Sequence, residues 1–232
     1  FAVYGAMFLG QYEPAMKMAQ ELIEVTPEEL LRVESPPFAT FFESYFALKV
    51  HVMIRFGRWR EIIEEPLPED QLLWANLTAT LHYAKGVAHA ALGDVQDAET
   101  EQAKFLKARD VMPEDRRLHN VLCLDQLAVA EAMLEGEIEY RKGNYDFAYL
   151  RLRDAVVMED TLPYDEPWGW MQPTRHALGA LLLEQGHVDE AEAVYREDLG
   201  LGGERSRAQI HPNNVWSLRG LNDCLHAKGQ GS

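Results

Sequence analysis

Gly93-Asp94-Val95-Gln96-Asp97-Ala98 is one copy of a short pattern that recurs along the 232-residue chain. The other copies keep the glycine, place an aromatic or β-branched residue two positions later and mostly end in alanine; they lie at 10–15, 143–148 and 186–191, with a degenerate copy at 57–62. Glycine adopts the positive φ that ends a helix, and a small alanine lets two antiparallel helices approach closely. The pattern therefore predicts a series of tight helical hairpins.

A second glycine stands seven residues before three of these turns, at Gly86, Gly136 and Gly179. Glycine inside a helix costs about 1 kcal/mol relative to alanine. We therefore expect each of these glycines to allow a close helix contact that offsets the cost.

Apolar residues at helical spacing, together with the prolines that interrupt them, predict where the helices lie. The predicted helices cover 2–9, 12–25, 39–56, 59–65, 70–92, 95–110, 117–142, 145–159, 172–185, 188–199 and 214–227. No segment alternates convincingly with a period of two, so the sequence predicts no sheet. Longer connections are expected near 27–40, 108–122, 159–173 and 200–212.

These turns resemble those of the tetratricopeptide repeat (TPR), and the resemblance covers nearly the whole chain. It implies one all-α domain over 1–232, a right-handed α-α superhelix of about five to six irregular hairpins. Successive turn glycines are 47, 36, 50 and 43 residues apart, against a usual TPR period of about 34. Phrases such as 48–59, 164–167 and 195–199 are also similar to a largely uncharacterised, bacterial-type group of TPR-containing proteins. That similarity implies that the chain is the C-terminal portion of such a protein and lacks upstream repeats.

The chain carries a formal net charge of −16, from 38 acidic and 22 basic residues. This balance argues against nucleic acid or an anionic membrane as a partner and favours a cation, a basic peptide or simple solubility. Cys123 and Cys224 form no paired motif, which favours a reducing, cytoplasmic location. No apolar run reaches the ~18 residues of a membrane span.

In a TPR hairpin the first helix lines the concave groove, and the register set by the turn glycines implies which side chains face it. These are His51, Tyr83, Glu137, Tyr140 and His176, with His82 one residue away from the groove. His51, Glu137 and His176 could hold a divalent metal, or the group could bind a small polar ligand. Alternatively, each is an isolated groove residue.

The insertion at 159–173 carries two tryptophans, a tyrosine and several acidic residues. Trp170, Asp165 and Glu166 could cap a cationic or aromatic ligand, or a tryptophan could fold back as a plug over the hairpin. Arg175 could bind the ligand with His176, or pair with Asp165 or Glu166 and so attach the loop to the helices.

The sequence favours a non-enzymatic binding or scaffold module that engages a peptide, a protein or a small polar ligand in its groove. The alternative is a protein that binds a metal or small molecule, with catalysis at a His/Glu/Tyr pocket. The sequence requires no cofactor, and a divalent metal is part of the second interpretation alone. An apolar stripe on 1–9 is expected to pack against upstream sequence or a second subunit.

Overall fold

Helices make up most of the chain in the computed structural model, which describes residues 1–229. They are α1 (Ala2–Phe8), α2 (Tyr12–Val25), α3 (Glu28–Leu31), α4 (Phe38–Phe42), α5 (Leu48–Arg55), α6 (Trp59–Glu64), α7 (Ala75–Leu92), α8 (Val95–Asp110), α9 (Cys123–Arg141), α10 (Tyr145–Asp160), α11 (Thr174–Glu184), α12 (Val188–Asp198) and α13 (Val215–Ala227). Short 3₁₀ helices cover Glu43–Ala47 and Arg207–Gln209. The predicted all-α class is confirmed.

The prediction that there is no sheet was wrong. Strands β1 (Arg117–Leu118) and β2 (Val121–Leu122) form a two-stranded antiparallel ladder, in which Arg117 pairs with Leu122 and Leu118 with Val121. Strands this short offer too little alternation to be recognised from sequence. As a consequence α9 begins at Cys123, six residues later than predicted.

The five turn glycines behave as predicted. Gly10, Gly57, Gly93, Gly143 and Gly186 all have positive φ, between 64° and 89°. Each joins two helices that pack against each other, giving the pairs α1/α2, α5/α6, α7/α8, α9/α10 and α11/α12. Contacts between α2 and α5, α6 and α7, α7 and α9, and α10 and α11 connect the pairs in chain order, and α12 also contacts α13.

The mid-helix glycines lie at close helix contacts, as expected. A Cβ added at Gly86 would lie 2.8 Å from Leu134 of α9, and one at Gly136 would lie 2.8 Å from Leu152 of α10. At Gly179 it would lie 2.7 Å from the Tyr195 ring of α12. Real Cβ contacts are longer than this, so a larger residue at any of these positions would require the facing side chain or its helix to shift.

The first and last helices of the chain contact each other. Trp216 of α13 donates its indole N–H to the Met7 carbonyl of α1 at 2.9 Å, and its ring meets Phe56 edge to face. A Cβ on Gly10 would lie 3.2 Å from Val215. These contacts connect α13 to α1 and to the end of α5.

The apolar stripe of α1 is covered by the chain itself, which corrects the expectation that it packs on upstream sequence or a second subunit. Tyr4 and Phe8 are buried, and both stack on Trp168 of the connection between α10 and α11. Only the two ends of the stripe, Phe1 and Leu9, are strongly exposed. In residues 1–229 no helix has both the length and the apolar character to cross a bilayer.

Candidate functional site

A pocket of about 330 Å³ lies between the first helices of four hairpins, α5, α7, α9 and α11. The pocket lining is mainly apolar. It includes these aromatic or large aliphatic side chains: Trp59, Val87, Met133, Leu152, Leu181 and Trp216. A small polar set opens onto the same space: Arg55, Tyr83, Glu137, Arg141, Gln172 and His176. Apolar walls with a few convergent polar groups are typical of small-molecule sites.

A second cavity of about 460 Å³ lies near Trp74, between the α2–α3 region and the connection that precedes α7. In the described residues, all of its charged lining residues except Glu69 pair with one another. Arg32 contacts Glu28 and Asp70, and Lys49 contacts Glu65. Because these charges are satisfied, the first pocket is the stronger candidate site.

Three of the predicted groove residues line the pocket together: Tyr83, Glu137 and His176. His51 lies next to it, because its carbonyl accepts a 2.7 Å hydrogen bond from Gln172 Nε2. The His51 ring itself meets Trp170 edge to face. The structure therefore brings Tyr83, Glu137 and His176 together in one pocket, whereas His51 lies outside the pocket lining.

Tyr140 and His82 are not part of the pocket. The Tyr140 hydroxyl accepts a hydrogen bond from Gln185 Nε2 at 2.9 Å, inside the packing of α9, α10 and α11. His82 Nδ1 lies 2.7 Å from Glu101 Oε2, so this ring faces the interior of the α7/α8 hairpin. A one-residue step along a helix turns a side chain by about 100°, which directs His82 away from the face of α7 that carries Tyr83 and towards α8.

No three His, Cys, Asp or Glu side chains within residues 1–229 are arranged to hold a metal ion. The three predicted ligands His51, Glu137 and His176 thus do not form one set. Both ring nitrogens of His176 are also engaged, Nδ1 with Arg55 and Nε2 with Asp198. The divalent metal stays a prediction that these contacts do not support.

Arg55 fixes the protonation state of His176. Arg55 Nη1 lies 3.0 Å from His176 Nδ1, and a guanidinium can only donate, so Nδ1 must accept. Nε2 then carries the proton and donates to Asp198 Oδ2 at 2.9 Å. Burial lowers the pKa of His176 to about 4, despite the opposing effect of Asp198. The ring is therefore neutral near pH 7.

Asp198, at the end of α12, holds His176 in place and joins α12 to α13. Its carboxylate accepts hydrogen bonds from His211 Nδ1 (2.7 Å), Asn214 Nδ2 (2.9 Å) and Ser217 Oγ (2.6 Å) in addition to His176. Burial alone would raise the pKa of Asp198, but the neighbouring His176 and His211 outweigh it and hold the pKa well below its usual value. The carboxylate is therefore ionised, and both of its oxygens accept hydrogen bonds from these side chains.

The 159–173 segment folds back onto the helices, as the plug interpretation proposed. Trp170 is 3% exposed, and its indole nitrogen lies 3.2 Å from Met133 Sδ. The ring packs against His51 and Tyr83, with centroid distances of 5.4 and 5.7 Å. Trp170 thus supports the pocket wall from behind and is unavailable to cap a ligand.

Asp165 and Glu166 do not line the pocket. Asp165 accepts a hydrogen bond from the backbone N–H of Asn120 at 3.1 Å, which attaches the loop to the turn between β1 and β2. Glu166 is half exposed, and its nearest cation is Arg207 at 4.0 Å.

Arg175 pairs with neither of these acids, which corrects the pairing expected from sequence. It donates to both carboxylate oxygens of Asp160, at 2.7 and 2.6 Å, and its Nε lies 3.6 Å from Glu197. Helix α10 runs to Asp160 and brings this acid to the start of α11, nearer than the loop acids. Arg175 is 2% exposed and serves to join α10 to α11.

Sequence reasoning missed Arg55 and Arg141, although a signal for both was present. Each stands four residues after a residue predicted to face the groove, His51 and Glu137, and residues four apart share a helix face. Gln172, Trp216 and Asp198 reach the site from distant parts of the chain, and no local pattern marks them.

No family model, no curated protein and no solved structure matches this chain. The likeness to TPR proteins rests on the repeats themselves.

Buried His51 makes the stability of the protein depend on pH. Burial, and then the nearby Arg55 cation, lower the pKa of His51 to about 4 from an ordinary 6.5. Between these values the unfolded chain takes up a proton that the folded chain does not, so the free energy of unfolding falls as the pH drops. We expect this ring to contribute a loss of roughly 3 kcal/mol across the window.

Urea unfolding of the wild type and His51→Phe, between about pH 7 and pH 4.5, measures this contribution. As the pH is lowered, the free energy of unfolding should fall less in the variant than in the wild type. All other titratable groups are present in both proteins, so the difference between the two slopes reports His51. Equal slopes would show that His51 is not held neutral.

Proposed function

We propose that the chain is a TPR-like, right-handed superhelical solenoid that binds a small organic ligand in its concave groove. The turn glycines, the paired helices and the groove position of Tyr83, Glu137 and His176 support the fold. The observation that carries the function is the pocket of about 330 Å³, with apolar walls and a few convergent polar groups. Its volume is within the range of about 300–1,000 Å³ that is usual for small-molecule sites.

One feature favours a small ligand over a peptide or a partner protein. Trp216 of α13 and Gln172 of the connection between α10 and α11 form part of the pocket wall, so the chain itself occupies the groove on either side of the space. The groups that could catalyse a reaction are engaged within the protein: both ring nitrogens of His176 have partners, and Glu137 pairs with Arg141. We therefore propose binding without catalysis.

The test uses two fluorescent probes of matched shape, N-phenyl-1-naphthylamine, which is neutral, and 8-anilinonaphthalene-1-sulfonate. Ala180 lines the pocket on the exposed side of α11, so Ala180→Trp should fill the space without disturbing the core. We expect at least one probe to bind the wild type with a fluorescence increase and to lose about tenfold or more in affinity for Ala180→Trp.

Ala103→Trp is the matched control, because Ala103 is exposed on α8 and lies outside the pocket. It should bind both probes as the wild type does. If neither probe binds the wild type, or if Ala180→Trp binds both as well as the control does, the pocket is not a ligand site.

A further inference from the structure

The pocket carries a positive charge in a chain whose net charge is −16. Three of its lining residues are charged near pH 7: Arg55, Arg141 and Glu137. Glu137 Oε1 accepts a hydrogen bond from Arg141 Nε at 2.9 Å and lies 2.8 Å from Arg141 Nη2. The charges of Glu137 and Arg141 therefore compensate each other. In the described residues no carboxylate lies within 4.0 Å of Arg55. Asp198 and Glu159 act on it only from farther away, so no ion pair compensates its charge.

Arg55 has unused hydrogen-bonding capacity. A guanidinium has five N–H donors, and in the described part of the chain only the bond from Nη1 to His176 uses one. The Arg55 Nε–H is buried and has no partner. An unpaired buried donor is destabilising unless a ligand or water satisfies it. Burial lowers the pKa of Arg55 only to about 10, so the group stays a cation near pH 7.

The surroundings hold the guanidinium in position without neutralising it. Its Cζ lies 5.3 Å from the centroid of the Trp216 ring, a cation–π distance. The His176 ring, which accepts from Arg55, is neutral. Asp198 lies on the far side of that ring and already accepts from His176, His211, Asn214 and Ser217. An anion in the pocket would find an oriented donor rather than a mobile surface arginine.

We propose that the pocket binds an organic monoanion with an aromatic or aliphatic body, and that Arg55 binds its carboxylate, sulfonate or similar acid group. This inference rests on the proposed function. The single uncompensated charge matches one negative charge, and the apolar walls match the body. The net charge of the chain favours a cationic ligand. A ligand inside the pocket interacts most strongly with the charges that line it, so the pocket should prefer an anion instead.

The same two probes test the inference, since they share one aromatic body and differ by the sulfonate. In the wild type the sulfonated probe should bind about tenfold or more tightly than the neutral one, as expected for hydrogen bonds to a charged group. The overall negative charge of the protein disfavours non-specific binding of the anion, so this preference reports a local site. Arg55→Met should remove the preference and change the affinity for the neutral probe by less than about twofold.

Arg58→Met is the matched control, because Arg58 is exposed, pairs with Glu61 and lies outside the pocket. It should keep the wild-type preference. If the neutral probe binds in the Ala180→Trp-sensitive pocket as tightly as the anion, the anion inference is wrong and the proposed function stands. If Arg55→Met weakens both probes equally, Arg55 only supports the fold, and the inference is again wrong. If neither probe binds the wild type, the proposed function itself fails.

Discussion

Replacing Asp198 with alanine is expected to lower the free energy of unfolding by about 3–5 kcal/mol, the range seen when one partner of a buried charged network is removed. Asp198 is fully buried and accepts hydrogen bonds from four side chains. Its removal leaves the donors of His176, His211 and Ser217 without a partner in a region closed to water. Urea unfolding monitored by far-UV circular dichroism measures the change.

Asp189→Ala is the control for this experiment. Asp189 lies in the first turn of α12, its side chain is 90% exposed, and its one ion-pair partner among residues 1–229 is Lys228. Its replacement should change the free energy of unfolding by less than about 1 kcal/mol. Similar losses for the two variants would mean that the Asp198 network adds nothing beyond an ordinary surface pair.

Trp170→Ala should lower the free energy of unfolding by about 3–5 kcal/mol, the usual cost of truncating a large buried aromatic residue. The ring packs against His51 and Tyr83 and reaches Met133 Sδ. Its loss would leave a cavity behind the pocket wall, between the connection and three helices. Equilibrium unfolding in urea, read by far-UV circular dichroism, gives the loss directly.

Tyr164→Ala provides the comparison, because Tyr164 belongs to the same connection and is 53% exposed. We expect its effect to stay within about 0.5 kcal/mol. A small effect of Trp170→Ala would indicate that the 159–173 segment is attached mainly by Asp165 and its bond to Asn120 instead.

The helical hairpins could be predicted from sequence because their cause is local. A positive φ at Gly93 or Gly143 depends on the glycine and its immediate neighbours. The close contact at Gly179 could also be anticipated, since its distance from the turn fixes the helix face. The short β1–β2 ladder could not, because two-residue strands carry no measurable pattern.

The candidate site was only partly predictable because its charges depend on contacts between distant residues. Register along a helix places Tyr83, Glu137 and His176 towards the groove. The spacing of four residues between Glu137 and Arg141 is a local signal for their pairing. Register cannot show that the acids nearest to Arg55, Asp198 and Glu159, lie too far away to pair with it. It also cannot show that Arg175 pairs with Asp160, because the length of α10 decides which acid is nearest. The net charge of the chain does not show which charges line the pocket.

The contact between Trp216 and the Met7 carbonyl joins residues 209 apart in sequence. In an open row of helical repeats each unit touches only its neighbours, so the ends fray first and stability adds up unit by unit. Here α1 and α13 contact each other, so units that lie far apart in the row are coupled. Unfolding of residues 1–229 should therefore be more cooperative than that of an open row, and folding should be slowed by the loop entropy of bringing α1 and α13 together.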